Sequence, residues 1–151
     1  MKVVKRIIIM LSLSLVVLML SFLLKNYVFD KAILHLKEEN HEYALYYLKP
    51  LAFVGYSEAQ KILGECFAFG HGVEKNKEKA KYWLRRAHDG SDCNSDRCIA
   101  ADLYFIGENY LEGVGVEINR EEAMNWIKMA ADNGYPKAVE YMSQPRSPEA
   151  R

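Results

Sequence analysis

Two related stretches decide the fold: GECFAFGHGVEKNKEKAKYWLRRAHDG at residues 64–90 and GENYLEGVGVEINREEAMNWIKMAADNG at residues 107–134. They align with an offset of 43 residues, and small, aromatic and turn residues recur at the same places. The matched pairs include Gly64 and Gly107, Gly70 and Gly113, Gly72 and Gly115, Ala80 and Ala123, Trp83 and Trp126, and Ala87 and Ala130. An internal repeat of this length is typical of a helical solenoid.

The repeated residues share a physical explanation. In the first copy, Ala80, Trp83, Leu84 and Ala87 follow helical spacing and predict one apolar face. Antiparallel helices approach closely only where the facing side chains are small, which the alanines and Gly64 provide. A single helix pair cannot bury its apolar face alone, so the pairs must stack. We therefore predict an all-α fold, a short α-solenoid of stacked antiparallel helix pairs preceded by one N-terminal transmembrane helix.

Turn residues and caps delimit the elements. We expect Ser57 to cap one helix, with Gln60 completing the cap, and Asn76 to cap the next. The predicted helices are Tyr27–Glu39, Glu42–Phe53, Ser57–Phe69, Asn76–His88, Asp96–Glu112, Asn119–Asn133 and Pro136–Met142. The predicted units are 1–28 (basic tip and transmembrane helix), 29–58 (degenerate repeat), 59–98 (repeat with a loop insertion), 99–143 (repeat and closing helix) and 144–151 (disordered tail).

Residues 7–24 form an apolar run that only three serines interrupt. The run is long enough to cross a bilayer core of about 30 Å as a helix. The alternative is a signal peptide, whose apolar region is roughly 7–15 residues and ends in a small-x-small site, and this run has neither feature. Lys2, Lys5 and Arg6 precede the run as a dense cluster that should stay in the cytoplasm. We expect an uncleaved anchor in a bacterial inner membrane, with the C-terminal domain in the periplasm.

Charge and cysteine content narrow the class of protein. The chain has 20 Lys and Arg against 20 Asp and Glu, without the basic excess of a nucleic-acid binder. Its three cysteines are too few for a disulfide scaffold. Cys93 and Cys98 are close enough in sequence for one local disulfide in an oxidising compartment. Two reduced thiols in a flexible loop are the alternative.

Catalytic and metal-binding patterns are weak. The four histidines are scattered over different elements, and no nucleophile-elbow or phosphate-loop motif occurs. His88, Cys93 and Cys98 lie within eleven residues, but their spacing matches none of the usual paired-ligand patterns of zinc sites. We expect a protein that is not an enzyme and that holds no metal and no cofactor.

Two sets of residues are candidates for partner binding. The first is a basic run that only one acid interrupts: Lys75, Lys77, Lys79, Lys81, Arg85 and Arg86. Such a run is either a solvated helix face or a patch for an acidic partner or lipid headgroups. The second is a set of aromatic residues that fall off the predicted inward stripes: Tyr43, Tyr46, Phe69 and Tyr82. They either line a binding surface, where tyrosine is a common anchor, or pack in the core by another route.

One pattern runs through both copies. It comprises Leu63-Gly64, Phe67, Gly70-x-Gly72-Val73, Lys79-Ala80, Trp83 and Ala87, then Ile106-Gly107, Tyr110, Gly113-Val114-Gly115-Val116, Glu122-Ala123, Trp126, Ala130-Ala131, Asn133-Gly134 and Ala138. The pattern resembles the Sel-one-like repeat, a relative of the tetratricopeptide repeat, and covers roughly residues 59–142. His88 departs from it, since a second Ala is usual there, and residues 90–95 form an insertion.

The resemblance implies a right-handed α-solenoid whose concave face makes protein–protein contacts. Members of this family look like adaptors in signalling, secretion, envelope maintenance and host interaction. The expected function is therefore a membrane-anchored, non-enzymatic adaptor or scaffold on the periplasmic side of a bacterial inner membrane. One alternative is an immunity protein that neutralises a phospholipase-type toxin, because some small envelope-located members of the family resemble such proteins. The other is a structural envelope component that contacts lipid or peptidoglycan.

Overall fold

The computed structural model describes residues 2–88 and 97–144 of the chain. All regular elements in these ranges are helices, which confirms the predicted all-α class. They are α1 (Lys2–Lys37), α2 (His41–Phe53), α3 (Ser57–Phe69), α4 (Lys77–Ala87), α5 (Ala100–Glu112), α6 (Arg120–Asp132) and α7 (Pro136–Ser143). The predicted loop insertion at residues 90–95, Cys93 within it and residues 145–151 of the predicted tail lie outside the described residues.

Successive helices pack side by side as antiparallel pairs. The most extensive pairs are α3 with α4 and α5 with α6, and α2 packs on both α1 and α3. The layers enclose two groups of buried side chains: one among α1 to α4, which includes Trp83, and one among α3 to α7, which includes Trp126. Trp126 is fully buried and Trp83 is 6% exposed. Both indoles therefore fill the space between layers, as predicted.

Glycine lets the two helices of each repeat approach closely at one point. A Cβ atom added to Gly107 would lie 2.6 Å from Cγ1 of Ile127 and 3.0 Å from the carbonyl oxygen of Ala123. One added to Gly64 would lie 2.9 Å from Cγ of Leu84 and 3.1 Å from a carbonyl oxygen of α4. These distances are shorter than ordinary van der Waals contacts, so a methyl group at either position forces the paired helix to shift.

The Gly-x-Gly turns have the same backbone course in both repeats. Gly70 ends α3 and Gly113 ends α5 in the left-handed region, with φ of 84° and 75°. Residues other than glycine are strained there because of their Cβ atom. Asn76 and Asn119 then begin the following helices, and their side-chain oxygens accept backbone N–H bonds from three residues on, at 2.8 and 3.0 Å. The predicted cap at Asn76 is confirmed.

The predicted cap of α3 is wrong. Tyr56 occupies the cap position, and the Ser57 hydroxyl donates instead to the Glu58 carboxylate at 2.9 Å. Gln60 is buried, and its Nε2 donates to the carbonyl oxygen of Ala52 at 2.9 Å. The capping pattern assigns Gln60 to its own helix. Its side chain instead joins α3 to α2, because the packing of these helices brings the Ala52 carbonyl oxygen within its reach.

The start of α5 also differs from the prediction. The helix begins at Ala100 rather than at Asp96, since residues 97–99 form a turn. Ile99 at the end of this turn is fully buried in the core of the second repeat. Burial of this side chain, which no local pattern reveals, fixes where the chain enters the helix. At the other end of the repeat, α7 continues one residue beyond its predicted end, to Ser143.

The first helix contains both an apolar segment and residues that pack in the core. It runs unbroken from Lys2 to Lys37, and none of its most apolar window is buried inside the structure. By length and composition it fits either a membrane span or a signal sequence. Farther along, Val28, Phe29 and Ala32 pack against the group of buried residues among α2, α3 and α4. The solenoid therefore begins within the same helix that carries the apolar segment.

We expect Gly107→Ala to lower the free energy of unfolding by roughly 1–3 kcal/mol, because the added methyl group overpacks the contact with Ile127. This is the opposite of the gain of about 1 kcal/mol that Ala gives over Gly in an open helix. Urea denaturation of the detergent-solubilised chain, followed by circular dichroism, measures the change. Ala101→Gly, at an exposed position of the same helix, is the control. An unchanged or more stable Gly107→Ala protein would contradict the close-approach argument.

Candidate interaction surface

The basic run is divided among several surfaces and does not form one patch. Lys75 and Lys77 turn toward the second repeat. The Lys77 ammonium lies 2.9 Å from the Glu122 carboxylate, and the Lys75 ammonium lies 5.2 Å from the centre of the Tyr110 ring. A partly exposed ion pair or cation–π contact contributes at most about 1 kcal/mol. These two lysines therefore help to fix one repeat against the next.

The rest of the run lies along α4. Lys81 pairs with a carboxylate three residues earlier at 3.1 Å, and its side chain is only 14% exposed. Arg85 and Arg86 are half-buried, and Nη1 of Arg86 donates to the Tyr82 hydroxyl at 3.3 Å. Lys79 is exposed, with its ammonium 5.4 Å from the centre of an aromatic ring of α3. Of the cations on α4, Lys79 is the best placed to meet a partner beside α2.

Three of the four aromatic candidates are surface residues. Tyr46 is 73% exposed, Tyr43 58% and Tyr82 50%. Phe69 is 8% exposed, and its ring packs edge-on against Tyr110 of the next repeat at 5.6 Å. Phe69 is therefore not part of a binding surface and follows the alternative, core packing, because α5 covers the side of α3 that the pattern of a single helix leaves open.

Two grooves flank α2. The first encloses about 650 Å³ and is lined by Glu42, Tyr43, Leu45, Tyr46, Lys49, Pro50 and Gly72. The second encloses about 430 Å³ between α2 and α4 and is lined by Lys49, Phe53, Leu63, Phe67, Lys79, Tyr82 and Trp83. The two grooves share Lys49, and we call them together the α2–α4 face. The sequence pattern did not identify Lys49 and Phe53 as candidate binding residues. They lie opposite Lys79 and Tyr82 of α4 only because α2 packs on α3.

A buried carboxylate joins the two repeats. Asp102 is 7% exposed, and its two oxygens lie 2.8 Å from Nζ of Lys61 and 2.8 Å from Nε2 of His88. The hydrogen bond that Lys61 donates to Asp102 raises the pKa of Lys61. Beside them, burial raises the pKa of Glu65 to about 7, although Lys61 opposes the shift. The cluster fixes α5 against α3 and the end of α4, and helical spacing alone did not reveal it.

Two stacked histidines connect the turns at the opposite end of the helices. The rings of His41 and His71 are parallel, with centres 4.4 Å apart, and Nε2 of His71 lies 2.6 Å from the carbonyl oxygen of Gly115, to which it donates. Burial lowers the pKa of His71, and the nearby His41 and Lys75 lower it further. Across residues 2–88 and 97–144, no three His, Cys, Asp or Glu side chains come together to hold a metal ion.

The cysteines differ in environment. Cys66 is buried, and burial raises the pKa of its thiol to about 12, which makes it a poor nucleophile. Cys98 is half-buried in the turn before α5. Cys93 lies outside the described residues, so the disulfide between Cys93 and Cys98 stays a prediction.

The Sel1 repeat family matches the chain twice, at residues 57–92 and 100–135. Each match contains one Gly-x-Gly turn, one asparagine cap and one buried indole of those described above. The chain carries two Sel1 repeats. This confirms the resemblance that the motifs indicated, and Sel1 repeats are typical of protein–protein interaction modules.

Among solved structures, the chain is similar to a Sel1 repeat protein from Oxalobacter formigenes, with 28% sequence identity and a TM-score of 0.42. The alignment covers 76% of this chain and 44% of the other, so this chain spans less than half the length of that protein. No curated protein matches the chain.

We expect Glu65→Gln to stabilise the protein above neutral pH and to have little effect near pH 4. Between pH 4.5 and about 7 the folded state keeps a proton on Glu65 that the unfolded chain loses, so the free energy of unfolding falls as pH rises through this window. The amide removes this penalty, which is roughly 1–3 kcal/mol for a mostly buried carboxylate.

Urea denaturation at pH 4 and pH 8 measures this effect of Glu65→Gln. Glu121→Gln, at an exposed position of α6, serves as the control for the loss of a negative charge. A stability difference between the wild type and Glu65→Gln that is the same at both pH values would contradict the assignment of the raised pKa.

Proposed function

We propose that this protein is a membrane-tethered, non-enzymatic adaptor that holds a protein partner on its α2–α4 face. The observation that carries the proposal is the pair of adjoining grooves, lined by exposed tyrosines and by lysines, on a scaffold of Sel1 repeats. Tyrosine offers a large contact area with few rotatable bonds, so it loses little conformational entropy on binding. Grooves of this kind suit a segment of polypeptide better than a small substrate, since they are open along α2.

The chemistry of the α2–α4 face indicates the kind of partner. Lys49 and Lys79 flank the second groove, whose floor is formed by apolar and aromatic side chains such as Phe67 and Trp83. A segment with apolar residues for the floor and carboxylates for the two ammonium groups would complement it. Glu42 is the acid that lines the first groove, so a cation of the partner is best accommodated at that end.

We expect Tyr46→Ala combined with Lys49→Glu to abolish capture of the partner. Loss of an aromatic anchor at an interface costs about 2 kcal/mol or more, which is a fall of roughly 30-fold in affinity, and the reversed charge adds repulsion. The measurement is quantitative mass spectrometry of proteins that co-purify with the detergent-solubilised full chain from the cells that make it.

Phe105→Ala combined with Lys128→Glu is the matched control, because both residues are exposed on the second repeat, away from the α2–α4 face. This control should capture the same protein as the wild type. Equal loss in both double variants would point to another surface, and full retention in the Tyr46→Ala, Lys49→Glu variant would rule out the α2–α4 face.

We further propose that α1 is an uncleaved anchor in a bacterial inner membrane and that the Sel1 repeats lie in the periplasm. The support is the apolar run of α1, with Lys5 and Arg6 before it, because dense positive charge favours the cytoplasmic side. Alkaline phosphatase fused after Arg151 should be active, and a green fluorescent protein fused there should be dark. The reverse pattern would place the repeats in the cytoplasm, and release of the mature chain from membranes would identify a signal peptide.

A further inference from the structure

The apolar run of α1 ends beside the turn between α2 and α3. Lys25 follows the run, and its ammonium lies 4.5 Å from the centre of the Tyr56 ring. The Phe29 ring packs edge-on against the same tyrosine at 4.9 Å. The 13 residues of α2 span about 18 Å, which is the distance along α1 from Lys37 back to Lys25. The chain therefore returns along α1 to the level at which the apolar run stops.

This turn presents apolar side chains outward. Phe53 is 67% exposed and Val54 is 79% exposed. The Phe53 ring packs edge-on against Trp83 at 5.2 Å, and the Arg86 guanidinium lies 6.0 Å from the centre of the same indole. The end of α4 therefore lies at the same level as the end of α2. We call Lys25, Phe53, Val54 and Arg86 the membrane-proximal edge.

We propose that the membrane-proximal edge lies in the headgroup layer of the membrane that holds α1, with Phe53 and Val54 entering the interface and Lys25 and Arg86 reaching lipid phosphates. The inference rests on the proposed anchoring of α1. Aromatic side chains favour this layer, and long basic side chains extend from apolar surroundings to phosphate groups. Lipid is the fitting occupant because the membrane-proximal edge continues directly from the end of a span-length apolar helix.

The charges around this turn are mixed, so apolar contact is the larger contribution. Glu58 and Asp30 lie close enough to Tyr56 to raise its pKa, after the effect of burial. Both acids are exposed, whereas Arg86 is half-buried against Trp83. The chemistry recognised is therefore a phosphate group next to the apolar layer of the bilayer, rather than a net negative surface. Zwitterionic and anionic phospholipids share this arrangement.

The opposite end of the solenoid provides an internal comparison. Because α1, α3 and α5 run away from the membrane and α2, α4 and α6 return, the Gly-x-Gly turns lie at the far end. Val114 in the second of these turns is 56% exposed, so it resembles Val54 in type and setting but differs in distance from the membrane. If the membrane-proximal edge rests on lipid, the solenoid stands upright and the α2–α4 face opens sideways, parallel to the bilayer.

The test uses the full chain in nanodiscs of phosphatidylcholine and phosphatidylglycerol, with a nitroxide label on Val16→Cys, Val54→Cys or Val114→Cys. Cys93→Ser and Cys98→Ser remove competing thiols, and Cys66 is buried. Electron paramagnetic resonance compares relaxation by oxygen, which concentrates in the bilayer, with relaxation by a water-soluble nickel chelate. We expect the ratio of oxygen to nickel accessibility to be highest at residue 16 and several-fold higher at residue 54 than at residue 114.

The outcomes separate the two proposals. Equal ratios at residues 54 and 114, with a high ratio at residue 16, would overturn lipid contact by the membrane-proximal edge and leave the anchor intact. A low ratio at residue 16 would overturn both the anchor and this inference. The labelled positions are exposed in the structure, and circular dichroism of each variant confirms that the helices are retained.

Discussion

The structure depends on how closely the two helices of a repeat approach each other. At Gly64 and Gly107 the absence of a side chain brings α3 against α4 and α5 against α6, closer than a methyl group would permit. This close approach buries the alanines beside the contact and leaves a larger gap between successive layers. Trp83 and Trp126 fill that gap. A pair of helices packed in this way still has an apolar side uncovered, so each repeat needs a neighbour.

That need explains the double role of α1. The first repeat, made of α3 and α4, has α5 on one side and requires cover on the other. The hairpin of α2 with the end of α1 supplies it: Ala32, Ala44 and Leu48 are fully buried against α3 and α4. The apolar run and a part of the first layer of the solenoid thus belong to one continuous helix. Movement of the solenoid relative to the end of α1 would have to break this packing, so this end of α1 and the first repeat behave as one unit.

Local periodicity was sufficient to predict the helices, the turns and the buried indoles, because these are properties of single elements repeated along the chain. Contacts between elements were not predictable in this way. Phe69 appears exposed on a wheel of α3, yet α5 covers it, and Gln60 fits a capping pattern, yet it bonds to α2. Both side chains lie where they do because a neighbouring helix, absent from the local pattern, offers a better contact.

The same reason explains the division of the basic run. Residues two apart lie about 200° apart on a helix, so Lys79 faces away from Lys77 and Lys81, which are four apart and lie on the same side of α4. Lys77 meets the second repeat, Lys79 borders the second groove, and Lys81 pairs within α4. The α2–α4 face was only half anticipated, through its tyrosines. Lys49 lines both grooves, but nothing in the residues next to it in the sequence indicates a binding residue.

The end of the solenoid with the Gly-x-Gly turns (the far end) and the end with the turn between α2 and α3 (the near end) differ in the contacts that join the layers. At the far end, a Cβ atom on Gly72 would meet Leu45 and His41, and His71 bonds to Gly115 of the next repeat. At the near end, a Cβ atom on Gly55 would have no neighbour within 4 Å. Successive layers are therefore joined at the far end through their turns and at the near end through the side chains of Lys61, His88 and Asp102. Phe53 and Val54, in the turn between α2 and α3, stay exposed. These two side chains lie at the level where the apolar run of α1 stops, because Lys25 contacts Tyr56 of the same turn, and this is the end that would face the membrane in the proposed anchored state.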